Sequence, residues 1–221
     1  VPQNSRRPPA QYPSSLHQLT RIILSQKNLP NLTLPLTQRS SVPTSPKSLN
    51  PSEIHAAIDR LALAISERHP GSQKLLLLGI ANGGITLARR LSALLPGSIV
   101  GTLDISFHRD DITRNPIPKE FAPTHIPVDV RGATVILVDD VLFSGRTVKA
   151  ALDELFDHGR PTQVELAVLV DRGHHRLPLT ADYIGLTLTT LPTQKVVVTL
   201  DAANPKRDTI RLEAARADSA S

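Results

Sequence analysis

Cysteine is absent from this chain, and so are methionine and tryptophan. Without cysteine there is no disulfide, no thiolate metal site and no cysteine nucleophile. Aromatic residues make up 3% of the chain, too few for a platform on which nucleic-acid bases stack. No apolar run approaches the ~20 residues of a membrane-crossing helix. The longest, Leu75 to Ile80, is interrupted by Gly79 and suits a buried strand. Acidic residues are missing from positions 1–50, which carry Arg6, Arg7, Arg21, Lys27, Arg39 and Lys47. The rest of the chain holds 19 Lys and Arg against 20 Asp and Glu, so the net charge of +5 belongs to the amino-terminal segment. A basic pI of that origin gives the folded part no electrostatic footprint for nucleic acid.

What is present divides into a tail and a domain. Nine of the 19 prolines fall within residues 1–51, among Ser, Thr and Gln. Such a segment cannot bury enough apolar surface to offset its ordering entropy. Residues 1–49 are therefore expected to be a disordered or artefactual basic Pro/Ser-rich tail. Their Arg- and Ser-rich, acid-free composition also resembles an organelle transit peptide. A chain that starts at Val1 and has no methionine reads as if a GTG start had been placed upstream of the real one. Residues 50–213 are expected to form one domain, with 214–221 a short tail.

Asn50, Pro51 and Glu53 make a capping-box-like helix start. Ile54, Ile58, Leu61 and Ile65 recur at helical spacing behind it. The pattern then predicts a buried strand over 74–80, a tight loop over 81–84 and a helix over 85–95. A strand over 99–107 and a long polar loop over 108–125 follow. Next come a strand over 134–138, a turn, a helix over 147–156 and a strand over 163–170. Short β-like pieces follow at 183–184, 195–200 and 209–212. Strand–helix alternation with apolar, β-branched strands predicts a parallel sheet flanked by helices. Ligands of such sheets sit at the carboxyl ends of the strands.

The chemistry concentrates in Val135, Ile136, Leu137, Val138, Asp139, Asp140, Val141, Leu142, Phe143, Ser144, Gly145, Arg146 and Thr147. An apolar strand brings two adjacent carboxylates to its end, and a Ser-Gly turn then feeds a helix. Backbone N–H groups there form an anion nest, aided by the Ser144 and Thr147 hydroxyls. Carboxylates ahead of a phosphate cradle suit a sugar phosphate. The alternative is a structural turn in which one aspartate caps a helix. Neither a G-x-x-x-x-G-K-[ST] loop nor a helix-opening G-x-G-x-x-G occurs. His174 and His175 lack a third ligand at suitable spacing, so no zinc site is expected.

This stretch resembles the phosphoribosyl pyrophosphate (PRPP) signature of type I phosphoribosyltransferases. The runs 103–105, 109–111, 145–152, 159–161, 166–174, 177–178 and 181–185 narrow the resemblance to the PyrR family, over about residues 51–212. It implies a type I phosphoribosyltransferase fold with a small hood and a mobile loop. The implied reaction converts uracil and PRPP to UMP and pyrophosphate, with Mg²⁺ carried by PRPP rather than held directly by the protein. Asp139 and Asp140 would grip the ribose, residues 143–147 the 5′-phosphate, and Asn82, Gly83 and Gly84 the pyrophosphate. Arg109 would act from a closing loop. Phe143, Asp171, Arg172, Tyr183 and Ile184 would border the base; related purine enzymes have an aspartate where Phe143 stands. The resemblance further implies a cytoplasmic homo-oligomer that binds an mRNA leader and attenuates pyrimidine genes.

The chain departs from the family pattern in two places. Where the family has Lys/Arg-Thr-Arg-Gly, it has Ala81, Asn82, Gly83 and Gly84, without either charge. Charge-assisted bonds are roughly twice as strong as neutral ones, so weaker PRPP binding or slower turnover is expected, with Arg89 or Arg90 as substitutes. Leu63, His175, Thr180 and Leu186 stand where the family tends to be basic or polar, which weakens RNA affinity. A nucleotide-binding RNA regulator with faint catalysis, or a transferase for another base, are the alternative readings.

Overall fold

The first helix among the described residues is capped from both directions. Asn50 Oδ1 accepts the Glu53 amide at 3.0 Å, and Glu53 Oε2 accepts the Asn50 amide at 2.9 Å. Pro51 takes the first helical position, where its missing N–H costs nothing, and α1 runs Pro51–Arg68. Ile54, Ala57, Ile58, Leu61, Ala62 and Ile65 form its buried face. The computed structural model describes residues 48–71, 75–106 and 123–214, which belong to one compact unit. Most of the expected tail, nearly all of the expected 108–125 loop and Arg109 lie outside the described residues.

Five parallel strands follow: β1 (Leu75–Ile80), β2 (Ile99–Leu103), β3 (Thr134–Leu142), β4 (Gln163–Asp171) and β5 (Tyr183–Thr187). Their order is β2-β1-β3-β4-β5. The switch point lies between β1 and β3, where the connections leave in opposite directions and open a crevice. α2 (Ala81–Leu94) joins β1 to β2. α3 (Arg146–His158) joins β3 to β4. Leu87, Ala88 and Leu91 of α2 pack with α1 in one core, while Val148, Ala151 and Leu155 of α3 fill a second. The sheet is thus covered on both faces, as its continuous apolar strands require.

A two-stranded antiparallel ribbon, β6 (Gln194–Thr199) and β7 (Thr209–Ala214), forms the hood. Asp208, fully buried, ties it down: Arg90 of α2 reaches both its carboxylate oxygens, and His55 of α1 lies 3.0 Å from one. Arg90 also donates to the Asp201 carbonyl at 2.7 Å. Burial raises the Asp208 pKa, but hydrogen bonds from Arg90, the Asp201 amide and His55 outweigh it and hold the carboxyl below its ordinary range.

Two elements differ from the sequence expectation. Residues 81–84 are the first turn of α2 rather than a loop. Glycine is a poor helix former, but here both glycines fit because of what they face. A Cβ on Gly84 would collide with the Val138 carbonyl, and one on Gly83 with the Asp140 carboxyl. β3 also continues through Leu142 instead of ending at Val138, since its ladder with β4 extends to the Leu142–Asp171 pair. The two aspartates therefore lie within a paired strand.

Candidate functional site

The switch-point crevice is bounded by two helix starts. At the first, Ile80 precedes α2 with no side-chain cap, and Ala81 is held at φ 48°. A non-glycine residue in the left-handed region is uncommon and costs roughly 1–2 kcal/mol. Gly79 is needed just before, because a Cβ there would meet the Ile85 backbone. At the second, Gly145 (φ 86°) precedes α3, also without a side-chain cap. The Arg146 amide contacts Ser144 Oγ at 3.3 Å. Leu177 and Leu179 pack against Gly145, and the Arg176 and Leu177 amides both bind the Ser144 carbonyl at 3.1 Å. The turn over 144–147 is thereby fixed from outside. Uncapped first-turn N–H groups and the positive helix end favour an anion.

Asp139 and Asp140 lie between these helix starts, on opposite faces of the strand as alternation demands. Asp139 is buried, 5% exposed, and its Oδ1 accepts the Asp140 amide at 2.9 Å. Burial and the neighbouring Asp140 charge push the Asp139 pKa well above the ordinary carboxyl range. Asp140 is half-buried against Gly83. Burial raises its pKa too, opposed by the Val141 amide, the Asp139 side chain and the charge of Lys195. Two carboxylates this close resist ionising together, so the pair retains a proton at a pH where an isolated carboxyl has lost it. Of the two, Asp140 has the surface that a ligand can touch.

Phe143 borders the same crevice. The Arg172 guanidinium lies 3.8 Å from the centre of its ring, a cation–π contact. That guanidinium also donates to Thr190 Oγ1 at 2.8 Å and to the Gln194 carbonyl. Arg172 was expected to contact the base; it is buried and engaged with Phe143 and the segment leading into β6. It holds the aromatic wall. Asp171 accepts the Gly173 amide at 2.8 Å and pairs with His175 at 2.9 Å. His174 (φ 59°) lies 3.1 Å from the Thr190 carbonyl.

Tyr183 and Ile184 were expected to border the base. Tyr183 pairs with Ala167 and is buried, and its hydroxyl donates to Glu165 Oε2 at 2.6 Å beside His69. This points it toward the amino ends of the strands, away from the crevice. Burial and the Glu165 carboxylate raise its pKa. Ile184 lies on edge strand β5, 42% exposed and two strands from Asp139. Arg90 also cannot replace the missing charges of residues 81–84, because Asp208 and Asp201 engage it; Arg89 is exposed.

Lys195 was missed. It lies on β6 next to the Arg172-bound Gln194, and its charge lowers the Asp140 pKa. The one signal in the sequence is a lone cation opening the run Val196–Val198. Among the described residues no three His, Asp or Glu side chains group as metal ligands, and no helix is long and apolar enough to cross a membrane.

Residues 49–203 match the family model described as phosphoribosyl transferase domain. The chain is 45% identical to the Bifunctional protein PyrR of Chloroflexus aurantiacus, over 69% of this chain and 86% of that protein. It is 49% identical to the protein of the same name from Streptomyces coelicolor, over 73% and 86%. Among solved structures it is similar to a hypoxanthine phosphoribosyltransferase of Trypanosoma cruzi (TM-score 0.55, 19% identity, 80% of this chain and 95% of that chain). A hypoxanthine-guanine phosphoribosyltransferase of Bacillus anthracis gives 0.53, 20%, 69% and 87%. At those identities the structures establish the fold alone.

Proposed function

Because the chain belongs to the PyrR family of phosphoribosyltransferases, we propose that it transfers the phosphoribosyl group of PRPP to uracil, yielding UMP and pyrophosphate. The observation that carries this reading is the crevice at the β1/β3 switch point, where an acid pair lies between two uncapped helix starts. The α3 start, with Ser144 and Thr147, suits the 5′-phosphate. The α2 start, with Asn82, Gly83 and Gly84 backbone amides, suits the pyrophosphate. Asp140, backed by Asp139, suits the ribose hydroxyls and the positive charge that develops on the sugar. Mg²⁺ arrives on the pyrophosphate as part of the substrate and offsets its charge. Arg109, expected to act from a closing loop, lies outside the described residues.

Phe143 favours a pyrimidine. An apolar ring cannot take a proton from a purine, whereas the N1 proton of uracil is acidic enough to leave without a strong local base. A cytoplasmic location goes with this reading, since PRPP is an intracellular metabolite, and a homo-oligomer with an mRNA-leader partner goes with the family. The chain is read as one catalytic domain over residues 50–213 between flanking tails. UMP formation from uracil, PRPP and Mg²⁺ tests the reading beside Asp140→Asn. The parent should turn over and the variant lose at least ~100-fold, about 2.7 kcal/mol of transition-state stabilisation. Equal rates in both would remove the role of the acid pair.

A further inference from the structure

One face of the Phe143 ring is already occupied. The Arg172 guanidinium carbon lies 3.8 Å from the ring centre, and Arg172 is 6% exposed whereas Phe143 is half-buried. The two residues stand at neighbouring strand ends. The Arg172 amide donates to the Leu142 carbonyl at 3.0 Å, and Leu142 pairs with Asp171. Arg172 Nε donates to Thr190 Oγ1 at 2.8 Å, and Nη2 donates to the Gln194 carbonyl. Thr190 is itself buried, and its carbonyl lies 3.1 Å from His174 Nε2. The guanidinium is thus anchored along its edge, which fixes the plane it presents to the ring. Its burial strips away water and strengthens the attraction to the ring face. A ligand therefore has only the other face and the rim of Phe143 to use.

We propose that Arg172 is a positioning residue for base recognition: it pins Phe143 by one face, so that the pyrimidine stacks on the other. The inference rests on the transferase reading above. Phe143 stands in the chain between Asp140, assigned to the ribose, and residues 144–147, assigned to the 5′-phosphate. A base joined to that ribose has the ring as its neighbour. A loose phenylalanine would give up rotamer freedom on stacking against a ligand; one held in advance has already given it up. The same guanidinium binds the first residue of β6, so the aromatic wall and the hood are held as one piece. Arg172 itself does not touch the base, because the ring stands between them.

The test is equilibrium binding of UMP and of ribose 5-phosphate to the parent, Arg172→Met, Phe143→Leu and the double variant, with thermal melting as the check on folding. Arg172→Met should bind UMP roughly tenfold more weakly, the scale of a desolvated cation–π contact. It should bind ribose 5-phosphate as the parent does. In the Phe143→Leu background, adding Arg172→Met should change UMP binding by less than about twofold, since no ring is left to position. A full loss in that background too would mean that Arg172 acts on the base directly or through the hood, and would overturn the inference. Equal weakening of both ligands, or no change in either, would overturn it as well. If Arg172→Met does not fold, Arg172→Lys is read by the same criteria. It keeps a cation for the ring without the fork that holds it, so a UMP-selective loss of about threefold is expected, absent beside Phe143→Leu. A parent that fails to bind ribose 5-phosphate would instead bring down the transferase reading, and the inference with it.

Discussion

The start of α1 and the starts of α2 and α3 are built to opposite rules. α1 opens with a reciprocal capping box that satisfies its terminal amides from within the chain. α2 and α3 open without side-chain caps, one after a strained alanine and the other after a left-handed glycine. Orphan amides are costly when they have no partner. The same sequence caps α1 and leaves most amides at the two helix starts flanking the acid pair without side-chain partners, which is what the proposed anion sites require. The two open starts also differ from each other. The turn before α3 is buttressed by residues 176–179 and carries hydroxyls, whereas the first turn of α2 offers the backbone amides of Asn82, Gly83 and Gly84 and no cation. Its cations lie elsewhere: Arg90 is tied to the hood, and the charge acting on Asp140 comes from Lys195.

The largest effect expected from breaking this arrangement is on stability. Arg90→Met leaves buried Asp208 without its main partner and should lower unfolding stability by about 3–5 kcal/mol in urea titrations. The pH response gives the sign independently. The folded Asp208 pKa is lowered, so its stabilisation is complete above the ordinary value of 3.8 and is lost as pH falls through the folded pKa. In Arg90→Met that acid-side loss should shrink. An unchanged acid limb would remove Arg90 as the cause.

Next in size is Gly83→Ala. The new methyl must displace the Asp140 carboxyl, so kcat/KM for PRPP should fall by ~100-fold, or about 2.7 kcal/mol. Melting should shift far less, because the obstructed group is a side chain and can move. A variant with parental kcat/KM would show that Asp140 need not occupy that place.

The smallest effect belongs to the capped helix. Asn50→Ala should cost about 1 kcal/mol of stability and leave UMP formation unchanged. If turnover fell with the cap, the division between structural and ligand-facing helix starts would be wrong.

How much of this was legible beforehand depends on whether the determinant is local. The capping box was readable because Asn50 and Glu53 are three residues apart, and the parallel sheet because its strands are continuous apolar runs. The acid pair and its Ser-Gly turn form one contiguous segment. Residues 81–84 read as a loop because two glycines in a row signal a break. Only the close approach of Val138 and Asp140, more than 50 positions away, explains why they open a helix. Tyr183 and Ile184 were assigned to the base by the family resemblance alone. The side on which Tyr183 lands is set instead by its register with Ala167 and its bond to Glu165. Lys195 was invisible for the same reason: its place depends on a guanidinium 23 positions earlier in the chain gripping its neighbour's carbonyl.

The most direct measurement is a crystal structure with UMP bound. The account predicts the 5′-phosphate seated on the first-turn amides of α3 within about 3 Å of Ser144 and Thr147, the ribose hydroxyls at Asp140, and the uracil beside Phe143. A phosphate bound away from that turn, with the acid pair untouched by the sugar, would contradict it.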